Sequence, residues 1–132
     1  MKILTKKRKE ILDLLLSSEK PMCANMLKKY VTFNLSTIYR ALEYLESNNF
    51  ISSFYFGNEK YYFKEKNGNF FLCESCNTIE VVPSEVIKEN DKNISKKTGF
   101  SLISHLFLFK GKCPNCMDKK NIIMKEGWDY EL

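Results

Sequence analysis

Two short cysteine pairs constrain this chain more than any other feature. Cys73-Glu74-Ser75-Cys76 and Cys113-Pro114-Asn115-Cys116 are both C-x-x-C, separated by the 36 residues Asn77 to Lys112. Each pair can present two sulfurs to one cation, and two pairs complete the tetrahedral four-thiolate shell that structural zinc takes. Such a shell has no open position, so the expected zinc is structural, not catalytic. The second half must then fold so that both pairs meet. An iron–sulfur cluster is the alternative metal reading. A thiol redox protein using one pair is another, although no βαβ unit precedes either pair. Cys23 is left over and reads as a small buried or capping residue.

The compartment follows from the same residues. The N-terminus lacks the apolar core and cleavage site of a signal peptide, and no stretch approaches the roughly 20 apolar residues of a membrane span. A cytoplasmic location with no membrane partner is expected, and spaced cysteines there point to metal. The single histidine, His105, excludes any site that needs two per chain.

Charge divides the 132 residues unevenly. Residues 1–66 carry 12 Lys+Arg against 7 Asp+Glu, and residues 67–132 carry 9 of each. A polyanion partner therefore belongs to the first half.

The apolar period divides the chain at the same place. Thr5 caps a first helix with Ile11, Leu12, Leu15 and Leu16 on one face, broken at residues 17–21. A second short helix carries Met22, Met26, Leu27 and Tyr30. A third runs from about Ser36 to Ser47 and ends at Asn48-Asn49. Two β-rich runs, Ile51 to Phe56 and Lys60 to Lys64, flank Gly57-Asn58, a hairpin signal. Three helices and a hairpin predict a winged helix-turn-helix domain over 1–66. The polar stretch from Lys64 to Asn69 reads as a linker. Residues 67–132 read as a second domain ordered strand, strand, helix, strand. Its helix starts at Pro83-Ser84-Glu85 and stops at Gly99, and its last strand spans Phe100 to Phe109. The fold class expected is α+β. Residues 117–132 form a tail without an assigned role.

The third helix is the one that can read DNA. At 100° per residue, Ile38, Ala41, Leu42 and Leu45 form one stripe, while Ser36, Tyr39, Arg40 and Glu43 lie opposite, with Thr37 near the N-terminus. Arginine can hydrogen-bond guanine, tyrosine can meet a thymine methyl, and a helix N-terminus favours phosphate. Lys6, Lys7 and Arg8 on the first helix, and Lys60 with Lys64 and Tyr55 on the hairpin, are candidate positioning contacts. A solvated amphipathic helix is the plain alternative.

The order of these motifs resembles the ferric uptake regulator family of bacterial metal- and peroxide-responsive repressors. The resemblance runs over Leu4 to Arg8, Leu35-Ser36-Thr37-Ile38-Tyr39-Arg40-Ala41-Leu42 to Leu45, Phe71 to Asn77, and Gly99 through Cys116, about residues 4–117 in order. It implies a winged-helix DNA-binding domain followed by a small α/β dimerisation domain. It also implies a homodimer that binds two-fold symmetric AT-rich operators as a repressor. Tyr39 and Arg40 match the family's DNA-reading pair, and Cys73, Cys76, Cys113 and Cys116 its structural zinc ligands.

The chain also departs from the pattern. Where the family carries a histidine-rich stretch holding a sensing metal between its domains, this chain has Asn67-Gly68-Asn69-Phe70-Phe71. A further family histidine is replaced around Lys20, and the acidic partner falls at Val81 beside Glu80. A degenerate or atypical sensory site is expected, its regulatory metal unknown. Thiolate oxidation, or metal on carboxylates such as Glu65, Glu74 or Glu80, remains open as the signal. His105 reads as a packed, hydrogen-bonded strand histidine. The glycine usual after each knuckle is replaced by Asn77 and Met117, so the second knuckle is expected to be shaped differently. A protein-interaction module that has lost DNA reading is a further alternative.

Overall fold

A computed structural model describes residues 4–117. The tail beyond Met117, Trp128 included, lies outside them. Helix α1 (Lys6–Ser17) begins where the Thr5 hydroxyl accepts the Arg8 N–H, 3.3 Å. Ile11, Leu12 and Leu15 are buried, but Leu16 is about half exposed, outside the expected stripe. Strand β1 (Met22–Cys23) follows, then α2 (Ala24–Lys28). The second helix is thus shorter than its apolar period suggests. Met22 belongs to the strand, Leu27 is buried, and Met26 and Tyr30 face outward. Five helical residues form barely one turn, too short to carry a stripe.

Helix α3 (Leu35–Ser47) is capped by Asn34, whose Oδ1 accepts the Thr37 N–H at 3.0 Å. Ile38, Ala41, Leu42 and Leu45 are all buried against α1 and α2. The helix ends at Asn48, and Asn49 takes the left-handed turn (φ +64°) that glycine more often takes. Strands β2 (Ser52–Phe56) and β3 (Glu59–Phe63) form the hairpin, with Gly57 at φ +63° in the two-residue loop. β1 pairs with β3, giving the antiparallel order β1-β3-β2.

The second sheet is mixed, ordered β5-β4-β6. β4 (Gly68–Cys73) runs antiparallel to β5 (Ile79–Val81) and parallel to β6 (Leu106–Gly111). Helix α4 (Ser84–Thr98) makes the crossover and stops at Gly99, φ +80°. A one-turn helix, α5 (Pro114–Met117), closes the described chain. The last strand does not reach back to Phe100 as its apolar residues suggest. Parallel pairing begins at Gly68↔Leu106, and Asn67 Oδ1 accepts the His105 N–H at 2.9 Å, so residues 100–105 have no strand on β4's side to join. Phe100 and Ile103 are 77% and 75% exposed.

The two sheets share a core. Phe54, Phe56 and Phe63 of the hairpin pack with Phe70, Leu72 and Ile79. Phe70 lies 5.5 Å from Phe54 and 5.1 Å, edge-on, from Phe63. The polar stretch at 64–67 is therefore a short crossing; Gly68 and Asn69 already belong to β4. A Cβ at Gly68 would stand 2.7 Å from Phe70 Cε2, 2.9 Å from Leu106 Cδ1 and 3.0 Å from Phe63 Cζ. Gly68→Ala is expected to cost about 1–3 kcal/mol by overpacking this junction. Chemical denaturation against wild type measures it; equal midpoints would contradict the close packing.

Candidate metal centre and nucleic-acid interface

β4 delivers Cys73 at its last residue, and the ladder sets Cys73 opposite Gly111, two residues before Cys113. Both knuckles therefore sit at the same end of two neighbouring parallel strands. All four sulfurs lie within 4.8 Å of one another. Cys73 Sγ is 3.6 Å from Cys116 Sγ, and Cys76 Sγ is 3.7 Å from Cys113 Sγ. A disulfide would need about 2.05 Å. A tetrahedron with Zn–S bonds of about 2.3 Å sets its sulfurs about 3.8 Å apart. The donor set and its spacing fit structural zinc.

The knuckles also stabilise negative sulfur. The Cys113 N–H donates to Cys73 Sγ at 3.3 Å, and against the pull of burial it lowers that thiol to about 6, with help from the N–H groups of Cys76 and Ser75. Thr78, 2.9 Å from Cys76 Sγ, lowers the second thiol. Cys116 is pushed up to about 12, first by its contacts with the Cys73 and Cys113 sulfurs. A bound cation would displace the proton that this crowding of sulfurs leaves on Cys116. Asn77 takes φ +65° after the first knuckle. Met117 instead closes a helical turn, its N–H on the Cys113 carbonyl at 2.9 Å. The second knuckle thus differs in shape, as the missing glycine suggests.

Cys23 is buried in β1, and its side chain makes no cap bond at α2. His105 Nε2 lies 2.8 Å from Asn69 Oδ1, and its ring is 5.0 Å from Phe107; it is bonded and ring-packed as expected, but it stands one residue before β6 and not in the strand.

The outward face of α3 carries Ser36, Tyr39 (47% exposed), Arg40 and Glu43, with Thr37 half-buried at its start. The remaining candidate contacts differ in their freedom. Lys6 and Lys7 are exposed at the start of α1, Lys7 5.6 Å from the Phe33 ring. Arg8 sits over Tyr44 of α3, its guanidinium carbon 3.7 Å from the ring centre. Lys60 is bound to Glu46 at 3.1 Å and sits over the rings of Tyr55 and Tyr62. Burial opposes the Lys60 charge, but Glu46 and the two phenols outweigh it and raise its pKa. Lys64 donates to the Leu16 carbonyl at 3.1 Å, finishing α1 rather than extending the hairpin's positive face. These partners lie far away in sequence, and no local pattern announces them. Tyr55, at 72% exposure, is the most exposed aromatic side chain of the hairpin.

A family model described as the ferric uptake regulator family matches residues 1–109. The ferric uptake regulation protein of Campylobacter jejuni is 30% identical over 89 residues, 65% of this chain and 57% of that protein. The match therefore spans less than two thirds of that relative's length. Among solved structures, the Helicobacter pylori ferric uptake regulator superposes with a TM-score of 0.73 at 23% identity, covering 87% of this chain and 82% of that one. A zinc uptake regulator complexed with zinc and DNA gives 0.59 at 21% identity, covering 90% and 86%. At these identities the structures speak for the fold.

Proposed function

The chain belongs to the ferric uptake regulator family, and on that premise we propose that it is a DNA-binding transcriptional repressor that acts as a homodimer in the cytoplasm on palindromic, AT-rich operators. One observation carries the proposal. A helix with four buried residues on one side presents Ser36, Tyr39 and Arg40 on the other, on a winged scaffold with exposed lysines beside it. Arg40 would read base edges, Tyr39 a thymine methyl or phosphate, and the Asn34-capped N-terminus with Ser36 and Thr37 a phosphate. Lys6 and Lys7, the latter beside the Phe33 ring, are the exposed phosphate contacts. Arg8 and Lys60 would act from their places over Tyr44 and between the hairpin tyrosines.

The division at residue 66 into a DNA-binding and a dimerisation domain belongs to the same reading. Phe100, Leu102 and Ile103 lie exposed just before edge strand β6, which itself exposes Leu106 and Phe109. An apolar run beside an open strand edge suits a second copy of the chain. Two copies would read two half-sites. The zinc serves this second half structurally, since four thiolates leave no position for a substrate. No helix of the described residues is long and apolar enough to cross a membrane.

Selection from random duplexes with the zinc-loaded protein tests the proposal, with a palindrome as the expected result. Arg40→Ala is expected to relax preference at one position per half-site and weaken binding by about 1–3 kcal/mol. Unchanged preference would remove Arg40 from the reading role. No selection under any condition would turn the weight to the interaction-module alternative.

A further inference from the structure

The position where the family pattern expects a sensing metal between the two halves is built differently here. Among the described residues, the four cysteines form the one group of three or more His, Cys, Asp or Glu side chains close enough to hold a metal. Beside the aromatic junction, a cleft of about 210 Å³ lies between the halves, lined by Lys20, Glu65, Asn67, Asn69 and Val81 among others. At its edge the Lys20 ammonium meets the Glu80 carboxylate at 3.0 Å, across 60 residues of sequence. Ser18 Oγ accepts the Lys20 N–H at 3.3 Å and donates to the Lys20 carbonyl at 2.7 Å, which shapes the bend that carries this lysine.

The other residues expected at such a site have taken structural work. Asn67 Oδ1 accepts the His105 N–H, and Asn69 Oδ1 meets His105 Nε2, so both amides tie β4 to the approach of β6. Amide oxygens are poor ligands for Fe²⁺, and an ammonium repels it. These residues do not fit a sensing metal.

We infer that no sensing metal bridges the two halves of this chain: the Lys20 ammonium stands in that place as a fixed cation against Glu80. The aromatic junction holds the halves together, and the solvent-exposed ion pair adds a contact at the edge of the cleft. The arrangement needs no ion from solution. If the chain reads DNA as proposed, its affinity is independent of Fe²⁺ or Mn²⁺ once structural zinc is loaded. That last consequence alone rests on the DNA-binding reading.

The test uses the full-length, zinc-loaded protein. Titration with Mn²⁺ and, anaerobically, Fe²⁺ is expected to reveal no site beyond the four-cysteine zinc. Hydrogen exchange over residues 64–70 and 79–82 is expected to be unchanged by Mn²⁺. It should rise about two- to five-fold in Lys20→Glu and in Glu80→Lys, the range an exposed ion pair supports, and return in the double reversal. The return on reversal separates the pair from simple damage at either surface position. A second stoichiometric metal, exchange slowed by Mn²⁺, or single reversals that exchange like wild type would each overturn the inference. On a selected duplex, equal affinity with Mn²⁺ and with a chelator that spares the thiolate zinc is expected; a requirement for Mn²⁺ would overturn it. If no duplex is bound at all, the DNA reading fails, while titration and exchange still decide the ion pair.

Discussion

Cys113→Ser is expected to strip the protein of zinc and to unfold its second half while α1 to α3 stay helical. Zinc at a structural site contributes on the order of 10 kcal/mol at neutral pH, comparable to the whole stability of a small domain. The substitution removes a sulfur that lies 3.7 Å from Cys76. β4, which carries Phe70 and Leu72 of the shared core, then has no clasp holding its end to β6. Metal content by mass spectrometry and circular dichroism on heating would measure both effects. A metal-free variant with wild-type melting would sink the structural role of the site. Chelator treatment of wild type should reproduce the variant's behaviour, and added Zn²⁺ should reverse it only in wild type.

Phe70→Ala should destabilise the protein by about 3–5 kcal/mol, the range for emptying a buried phenyl site. Phe70 is 5% exposed and touches rings from both hairpin strands. Its loss should also separate the unfolding of the two halves, turning one transition into two. Calorimetry reads both predictions. A single transition with unchanged midpoint would mean that the sheets hold together without this ring. Leu42→Ala offers the contrast, since Leu42 lies in the other core cluster, beneath α3. That variant should weaken the winged half and leave the junction intact.

The features legible in the sequence were those written into local spacing. The C-x-x-C pairs fix four sulfurs, and the 100° wheel of residues 36–45 separates buried from exposed side chains, because both signals span only a few residues. Thr5, Asn49 and Gly99 mark helix ends through their own chemistry. What escaped depended on distant partners. β1 is two residues long and exists because β3 offers it an edge. β6 starts at Leu106, and not at Phe100, because β4 starts at Gly68. Lys60 and Lys64 read as DNA-facing cations, and Lys20 only as the place where a family histidine is replaced, yet each has found an oxygen brought near by the fold. The aromatic hairpin residues looked like an ordinary wing; that their inner face is the seam between two sheets needs three dimensions to see.

The parallel pairing of β4 with β6 also bears on the order in which a new chain matures. The pairings of β1, β2 and β3 all lie within the first 66 residues, so the winged half can form once these have left the ribosome. β4 then waits for more than thirty residues, α4 included, before its parallel neighbour arrives. The two knuckles meet only after that, so metal capture comes last, as the step that commits the second half. In a zinc-starved cell, newly made chains would stall with the winged half finished and the second half unfinished. Zinc supply would then set how many chains mature, and, if the chain pairs as proposed, how many pairs form.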